Sequence, residues 1–244
     1  MRAVFTLLGK EVATFYNSLT GYLVMVVFLV GLGLFFWTFP DNVLETGAAQ
    51  LDTLFAMGPW FLLFVVPAIT MRAFSEEYKT GTIEFLATKP LTDIQILLGK
   101  YLGALVLILA SLLPTLTYVA SVWYLGNPVG NLDTGATMGA YLGLVGIGAI
   151  FAAIGIWCSA STDNQIVAYV LGVFLCFFFY TAFEFLSELQ LFGAYNELVL
   201  QLGILEHYRS ISRGVLDLRD ILYYLSLILL FLLLGRAALA ARKQ

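Results

Sequence analysis

Six apolar runs punctuate the chain, at about 21–39, 54–71, 99–125, 137–158, 165–186 and 221–241, and polar intervals separate them. A helix needs about 20 residues, at about 1.5 Å each, to cross a hydrocarbon core about 30 Å thick. The pattern therefore predicts six transmembrane helices. Pro59, Pro67 and Pro114 fall inside runs and predict kinks rather than breaks, because neighbouring helices re-satisfy the freed carbonyls. Residues 1–20 read differently. Val4, Leu8, Val12 and Phe15 share one helical face while Arg2, Lys10 and Glu11 lie elsewhere on the wheel, the pattern of a helix lying in the headgroup layer. The first run closes on Phe36-Trp37-Thr38-Phe39-Pro40 rather than on small residues, so it reads as a span and not as a cleavable leader. The interval 187–220 is too polar to span, and its Leu189, Leu198, Leu202 and Leu205 predict short helices half sunk in the boundary. The organisation expected is an interfacial helix over 1–20 and one all-α transmembrane domain over 21–244.

Composition sharpens this reading. The 244 residues are 61% hydrophobic and 11% charged, far from the quarter or so of charged residues in soluble domains. The chain is a polytopic membrane protein in the lipid bilayer. A net charge of −4 and no basic stripe argue against a nucleic-acid partner. Cys158 and Cys176 lie inside apolar runs without CxxC or Cys/His spacing, as small packing residues do. Gly139 and Gly143 form a G-x-x-x-G spacing that permits close helix approach. Six spans put nine basic residues on one face (Arg2, Lys10, Arg72, Lys79, Lys89, Lys100, Arg236, Arg242 and Lys243) and three on the other, Arg209, Arg213 and Arg219. The positive-inside rule then places both termini in the cytoplasm. The three exterior arginines share their loop with Glu188, Glu197, Glu206, Asp217 and Asp220, so ion pairs are expected there.

The interval 72–93 is the longest charged stretch between two strong runs. Ile83, Leu86 and Ala87 recur at helical spacing, and Pro90 stops any helix by Lys89. Thr92 with Gln95 has the spacing of a capping box that starts the next helix; Thr162 with Gln165 repeats it. A short amphipathic helix over about 75–89 follows. On pattern alone it is equally a plain connector. The ordered set Arg72, Glu76-Glu77, Gly81-Thr82-Ile83-Glu84, Leu86, Lys89-Pro90-Leu91 and Gly99-Lys100-Tyr101 resembles the cytoplasmic signature of type-2 ABC exporter permeases. The resemblance implies the fold of that family, six helices preceded by an interfacial helix. It implies a coupling helix at about 75–89 that docks on a separate ABC ATP-binding subunit, with Glu76, Glu77, Lys79, Thr82 and Glu84 as contact or positioning residues. It also implies a second permease copy or related membrane subunit, and ATP and magnesium held by the partner rather than by this chain. The blocks 74–84, 89–93 and 210–217 are similar to gliding-motility-associated permeases of Bacteroidota. That likeness implies a second membrane protein of the same system and the bacterial inner membrane.

Several chemistries are missing from the sequence. No G-x-x-x-x-G-K-[ST] occurs, so the chain does not cradle nucleotide phosphates. No G-x-S-x-G or H-E-x-x-H occurs either. The single histidine, His207, in Glu206-His207-Tyr208-Arg209, reads as interfacial or hydrogen-bonded. Lys100 and Glu184 sit at span ends, where snorkelling accounts for them. The spans carry almost no mid-membrane charge, unlike ion-coupled transporters. The expected function is the permease subunit of an ATP-driven exporter; a membrane scaffold that anchors an ATPase without moving substrate is the alternative. An apolar interior is compatible with a lipid, an undecorated polymer or a peptide, or with helices that only pack together.

Overall fold

A computed structural model of the protein describes residues 2–40, 42–82, 91–189 and 193–242. All regular structure among them is helical. The elements are α1 (Arg2–Tyr16), α2 (Leu19–Trp37), α3 (Val43–Thr46), α4 (Asp52–Thr70), α5 (Ser75–Thr80), α6 (Asp93–Leu112), α7 (Leu116–Leu125), α8 (Thr134–Ser161), α9 (Gln165–Phe177), α10 (Phe183–Glu188), α11 (Asn196–Leu200), α12 (Ile204–Ser212) and α13 (Leu218–Ala241). Five helical stretches are long and apolar enough to cross a membrane: Asp52–Thr80, Asp93–Leu125, Thr134–Ser161, Gln165–Glu188 and Leu218–Ala241. A sixth candidate is the bent pair of α1 and α2, in which α2 contributes 19 residues without a charge. Between Val4–Tyr16 and Gly21–Trp37 the chain bends by 72°, so the amphipathic α1 leaves the bundle axis.

The centre of the bundle is α8. Its sequence, TGATMGAYLGLVGIGAIFAAIGIWCSAS, is rich in glycine, alanine and serine, and small side chains let neighbouring backbones come close where no water exists to drive association. Helices α4, α6, α9, α12 and α13 all pack on it. Ile147, Ile150, Phe151 and Ile154 are fully enclosed. Its glycines face specific partners. A methyl group at Gly155 would fall 2.0 Å from Thr70 Oγ1, and one at Gly146 would meet the Tyr224 ring at 2.4 Å. Cys158 and Cys176 lie buried in the same core. Towards lipid the bundle shows aliphatic side chains such as Leu23, Val27, Val30, Leu222 and Leu229.

Proline shapes the spans unevenly. Pro59 and Pro67 are absorbed within a continuous α4. Pro114 instead sits in a 3-10 turn, Leu113–Thr115, that joins α6 to α7, where Thr115 Oγ1 donates to Leu112 O at 2.6 Å. The fifth span carries a π turn, Phe178–Ala182, between α9 and α10. Capping decides the helix starts. Thr92 and Gln95 form the reciprocal capping box, as the spacing predicts. Thr162 and Gln165 do not. Asn164 caps α9 by accepting from the Ile166 N–H at 2.9 Å, and Thr162 Oγ1 accepts from the Asn164 N–H instead. Asparagine is the stronger cap and lies directly before the helix, so it displaces the threonine.

At the end opposite α5, the described residues 193–217 fold back onto the bundle. α12 lies against α8 with Tyr208 seated on Gly143 and Ile211 O close to Gly139. The buried Tyr208 hydroxyl donates to Phe55 O at 2.8 Å. Burial pushes this phenol well above its ordinary value, so it remains a donor at any working pH. His207 faces Asp220 Oδ1 at 2.7 Å through Nδ1 and Gln201 O at 2.8 Å through Nε2, and its ring stacks on Tyr223 at 3.9 Å. Of the ion pairs expected in this segment, Arg209 reaches Glu206 only at 4.0 Å; its closer partner is Glu184, at the end of the fifth span, at 2.7 Å.

Candidate functional site

α5 follows α4 after one tight turn, and its six residues are SEEYKT. Glu76 and Glu77 lie in the first turn and Lys79 in the last, which suits the helix dipole at both ends. Gly81 ends the helix with φ of 70°, a left-handed conformation that glycine adopts without cost. The described helix is thus shorter than the 75–89 expected from the sequence; Glu84, Lys89 and Pro90 lie outside the described residues.

Three sets of contacts seat α5 on the bundle. The first is a single hydroxyl at the end of α8. Ser159 Oγ accepts from the Phe74 N–H at 2.9 Å and the Ser75 N–H at 3.1 Å, and donates to Met71 O at 2.9 Å. One fully buried serine therefore satisfies backbone groups that the turn leaves without helical partners. The second set is aromatic. Phe74, completely buried, stacks on Tyr78, and the Arg242 guanidinium from the end of α13 lies 4.2 Å above the Tyr78 ring while pairing with Asp163.

The third set is ionic and centres on Lys100. Its ammonium is 2.9 Å from Glu77 Oε1 and 2.9 Å from Glu11 Oε1; the residue is only 3% exposed. It also lies 5.0 Å from the Phe74 ring centroid. Lys10 approaches Glu77 Oε1 at 3.8 Å. One lysine from α6 thus bridges carboxylates on α1 and α5. The geometry depends on glycine: added methyls at Gly99 and Gly103 would fall 2.8 Å from Leu7 Cβ and 2.9 Å from Glu11 Cβ. Their absence lets α1 rest directly on α6 and brings Glu11 to Lys100. A lysine this buried requires its paired carboxylates, since an unpaired charge there would be costly.

The sequence-selected residues divide into two groups. Glu76, Lys79 and Thr82 are all exposed, with Glu76 and Thr82 at the rim of a cleft beneath α1. Thr80 Oγ1 stiffens the turn after α5, donating to Glu76 O at 2.8 Å and lying 3.0 Å from Thr82 Oγ1. Glu77 points inward to Lys100. Lys100, Glu11 and Ser159 were not among the sequence-selected residues, and the structure makes them the anchor of the site. The only signal was a lysine inside Gly99-Lys100-Tyr101, next to apolar residues on both sides. Beneath α1, a cleft of about 550 Å³ reaches from Lys10 and Glu76 past Glu77 to Val24, Ile69 and Leu107. Among the described residues no group of three His, Cys, Asp or Glu side chains could hold a metal ion.

Residues 41–199, more than half of the chain, match the family model described as ABC-2 family transporter protein. The match begins before α3 and runs through α4, α5 and the central α8 into α11. No curated protein matches the chain.

Proposed function

The chain belongs to the ABC-2 transporter family and is a membrane-spanning permease component of an ABC transporter, and from that premise we propose that α5 is where its ATP-binding subunit docks. As a permease it is not the ATPase, and its family implies an ATP-binding partner. The observation that carries the reading is the construction of α5: Glu76, Lys79 and Thr82 are exposed, while Glu77 is held by Lys100, which also holds Glu11. A short helix with exposed polar residues and a pinned carboxylate transmits a push instead of yielding to it. Glu76, Lys79, Thr82 and Glu84 are the docking contacts, and Glu77 is the positioning residue.

The remaining assignments extend this reading. The nine-to-three distribution of basic residues supports cytoplasmic termini with α5 on the inner side of a bacterial inner membrane. Nearly charge-free spans support energy supplied by ATP in the partner, with its magnesium, over an ion gradient. Two permease subunits pair around two ATP-binding subunits, and export is the direction of transport. The residue blocks 74–84 and 210–217 support a role in gliding motility.

Affinity purification of the chain from gently solubilised native membranes, with mass spectrometry of what accompanies it, tests the docking. Recovery of a soluble ATPase with a G-x-x-x-x-G-K-[ST] motif is expected. Reversing charge in Glu76→Arg, Lys79→Glu or Glu84→Arg is expected to lower that recovery about fivefold, the effect of losing about 1 kcal/mol at a rim contact, with membrane insertion unchanged. Unaltered recovery in all three variants removes α5 as the docking element. ATPase association without stimulation by any transported substrate would fit an anchoring role instead.

A further inference from the structure

We propose that Arg242, at the end of α13, is a positioning residue that makes the last span follow α5, an inference that rests on α5 being the docking element. Phe74 and Tyr78 lie one helical turn apart and stack with ring centroids 6.5 Å apart. Each ring has a cation against it. Lys100 Nζ, from α6, is 5.0 Å from the Phe74 centroid, and Arg242 Cζ is 4.2 Å from that of Tyr78. A cation over a ring face is held by the ring quadrupole, so the aromatic pair is gripped at one ring from α6 and at the other from α13.

Arg242 is held from a second direction as well. Its guanidinium pairs with Asp163, in the connector between α8 and α9, and 32% of its side chain remains exposed. A planar guanidinium can lie flat on a ring while its N–H groups reach a carboxylate in its own plane, which an ammonium cannot do. Arg242 therefore joins α5 to α13 and to the start of α9. Lys100 and Ser159 join α5 and the turn before it to α1, α4, α6 and α8 instead. One turn back along α13, Ala238 and Leu239 share an apolar cluster with Phe74 and Tyr78. Apolar contact is non-directional and lets surfaces slide; the stacked and paired guanidinium fixes where α5 sits along α13.

The complex with its ATPase, purified from native membranes, tests this through a reporter at the opposite end of α13. Leu218 is exposed there, and Cys158 and Cys176 are buried, so in Leu218→Cys the new thiol is the accessible one. Its labelling rate with a maleimide, read on this chain by mass spectrometry, is compared without nucleotide and with ATP and vanadate. A nucleotide-dependent change is expected. Arg242→Gln and Tyr78→Leu are each expected to shrink it about threefold, the scale of one partly exposed cation–π contact. Arg242→Lys keeps the charge without the fork and is expected to fall between. Tyr78→Phe keeps the ring and is expected to respond fully, as is Arg236→Gln, which removes another cation of the same helix. Docking is read separately, from ATPase recovery with the charge-reversed α5 variants; recovery is expected to be full in every variant named here. Full recovery with an undiminished response in both Arg242→Gln and Tyr78→Leu overturns the inference. So does a Tyr78→Phe response as weak as that of Tyr78→Leu, or no response in the Leu218→Cys chain itself.

Discussion

Lys100 shows how much one side chain can hold. It is nearly inaccessible, touches two carboxylates at 2.9 Å and reaches them from a third helix. Removing one partner of a buried ion pair costs about 3–5 kcal/mol, mostly because the other charge is left without compensation. Lys100→Met is therefore expected to lower thermal stability in detergent sharply, and Lys100→Met combined with Glu11→Gln and Glu77→Gln is expected to recover much of the loss. If the triple variant is no more stable than the single one, the charges are not what binds these helices. At the same scale Ser159→Ala leaves the buried Phe74 and Ser75 N–H groups without their acceptor, a loss of about 1–3 kcal/mol. It is also expected to weaken substrate-stimulated ATP hydrolysis by the assembled transporter, because the turn before α5 would no longer be fixed. Little of this was legible beforehand. Glu77 and Lys100 are 23 residues apart and Glu11 and Lys100 are 89 apart, and separations of that size leave no periodic trace. A lysine at a span end looks the same whether it snorkels to water or is enclosed by its neighbours.

Single elements were far more legible, because hydrophobic run length and capping act locally. The spans follow from apolar length alone, and the Thr92 box follows from four adjacent residues. The second threonine box failed for an equally local reason, a better cap one position before the helix. What pattern could not reveal is which surface each glycine faces. The G-x-x-x-G spacing of Gly139 and Gly143 does permit close approach, but the partner is α12 and the turn after it rather than another long span. At Gly139 a methyl would lie 2.4 Å from Ile211 O and 2.9 Å from Gly214 Cα, both backbone atoms that cannot rotate away. Gly139→Ala is expected to cost about 1–3 kcal/mol as an overpacked site, read as a lower unfolding temperature. Gly9→Ala, where nothing lies within 4 Å, is the matched control and is expected to be neutral.

Across the whole molecule the two ends are built differently. The α5 end joins α1, α4, α6, α8 and α13 by ion pairs and a shared serine hydroxyl, while the α12 end rests on aromatic rings laid over glycine and on the His207–Asp220 contact. Between them the described spans carry no charge cluster that an ion gradient could drive. Dissipating the proton gradient with an uncoupler is accordingly expected to leave ATP hydrolysis by the reconstituted transporter unchanged; a strong dependence would require a titratable group on the path. The seating of α5 also sets a mechanical ratio. Because Ser159 fastens the turn after α4 to the end of α8, force applied to α5 enters the membrane through two rods at once. A rod of 19 residues is about 28 Å long at about 1.5 Å per residue. Pivoted at the serine, a tilt of about 10° would carry its far end through about 5 Å, roughly one helical pitch. If the ATP-binding subunit docks on α5 as proposed, that single hydroxyl would be the fulcrum turning a small stroke at one surface into a larger displacement at the other.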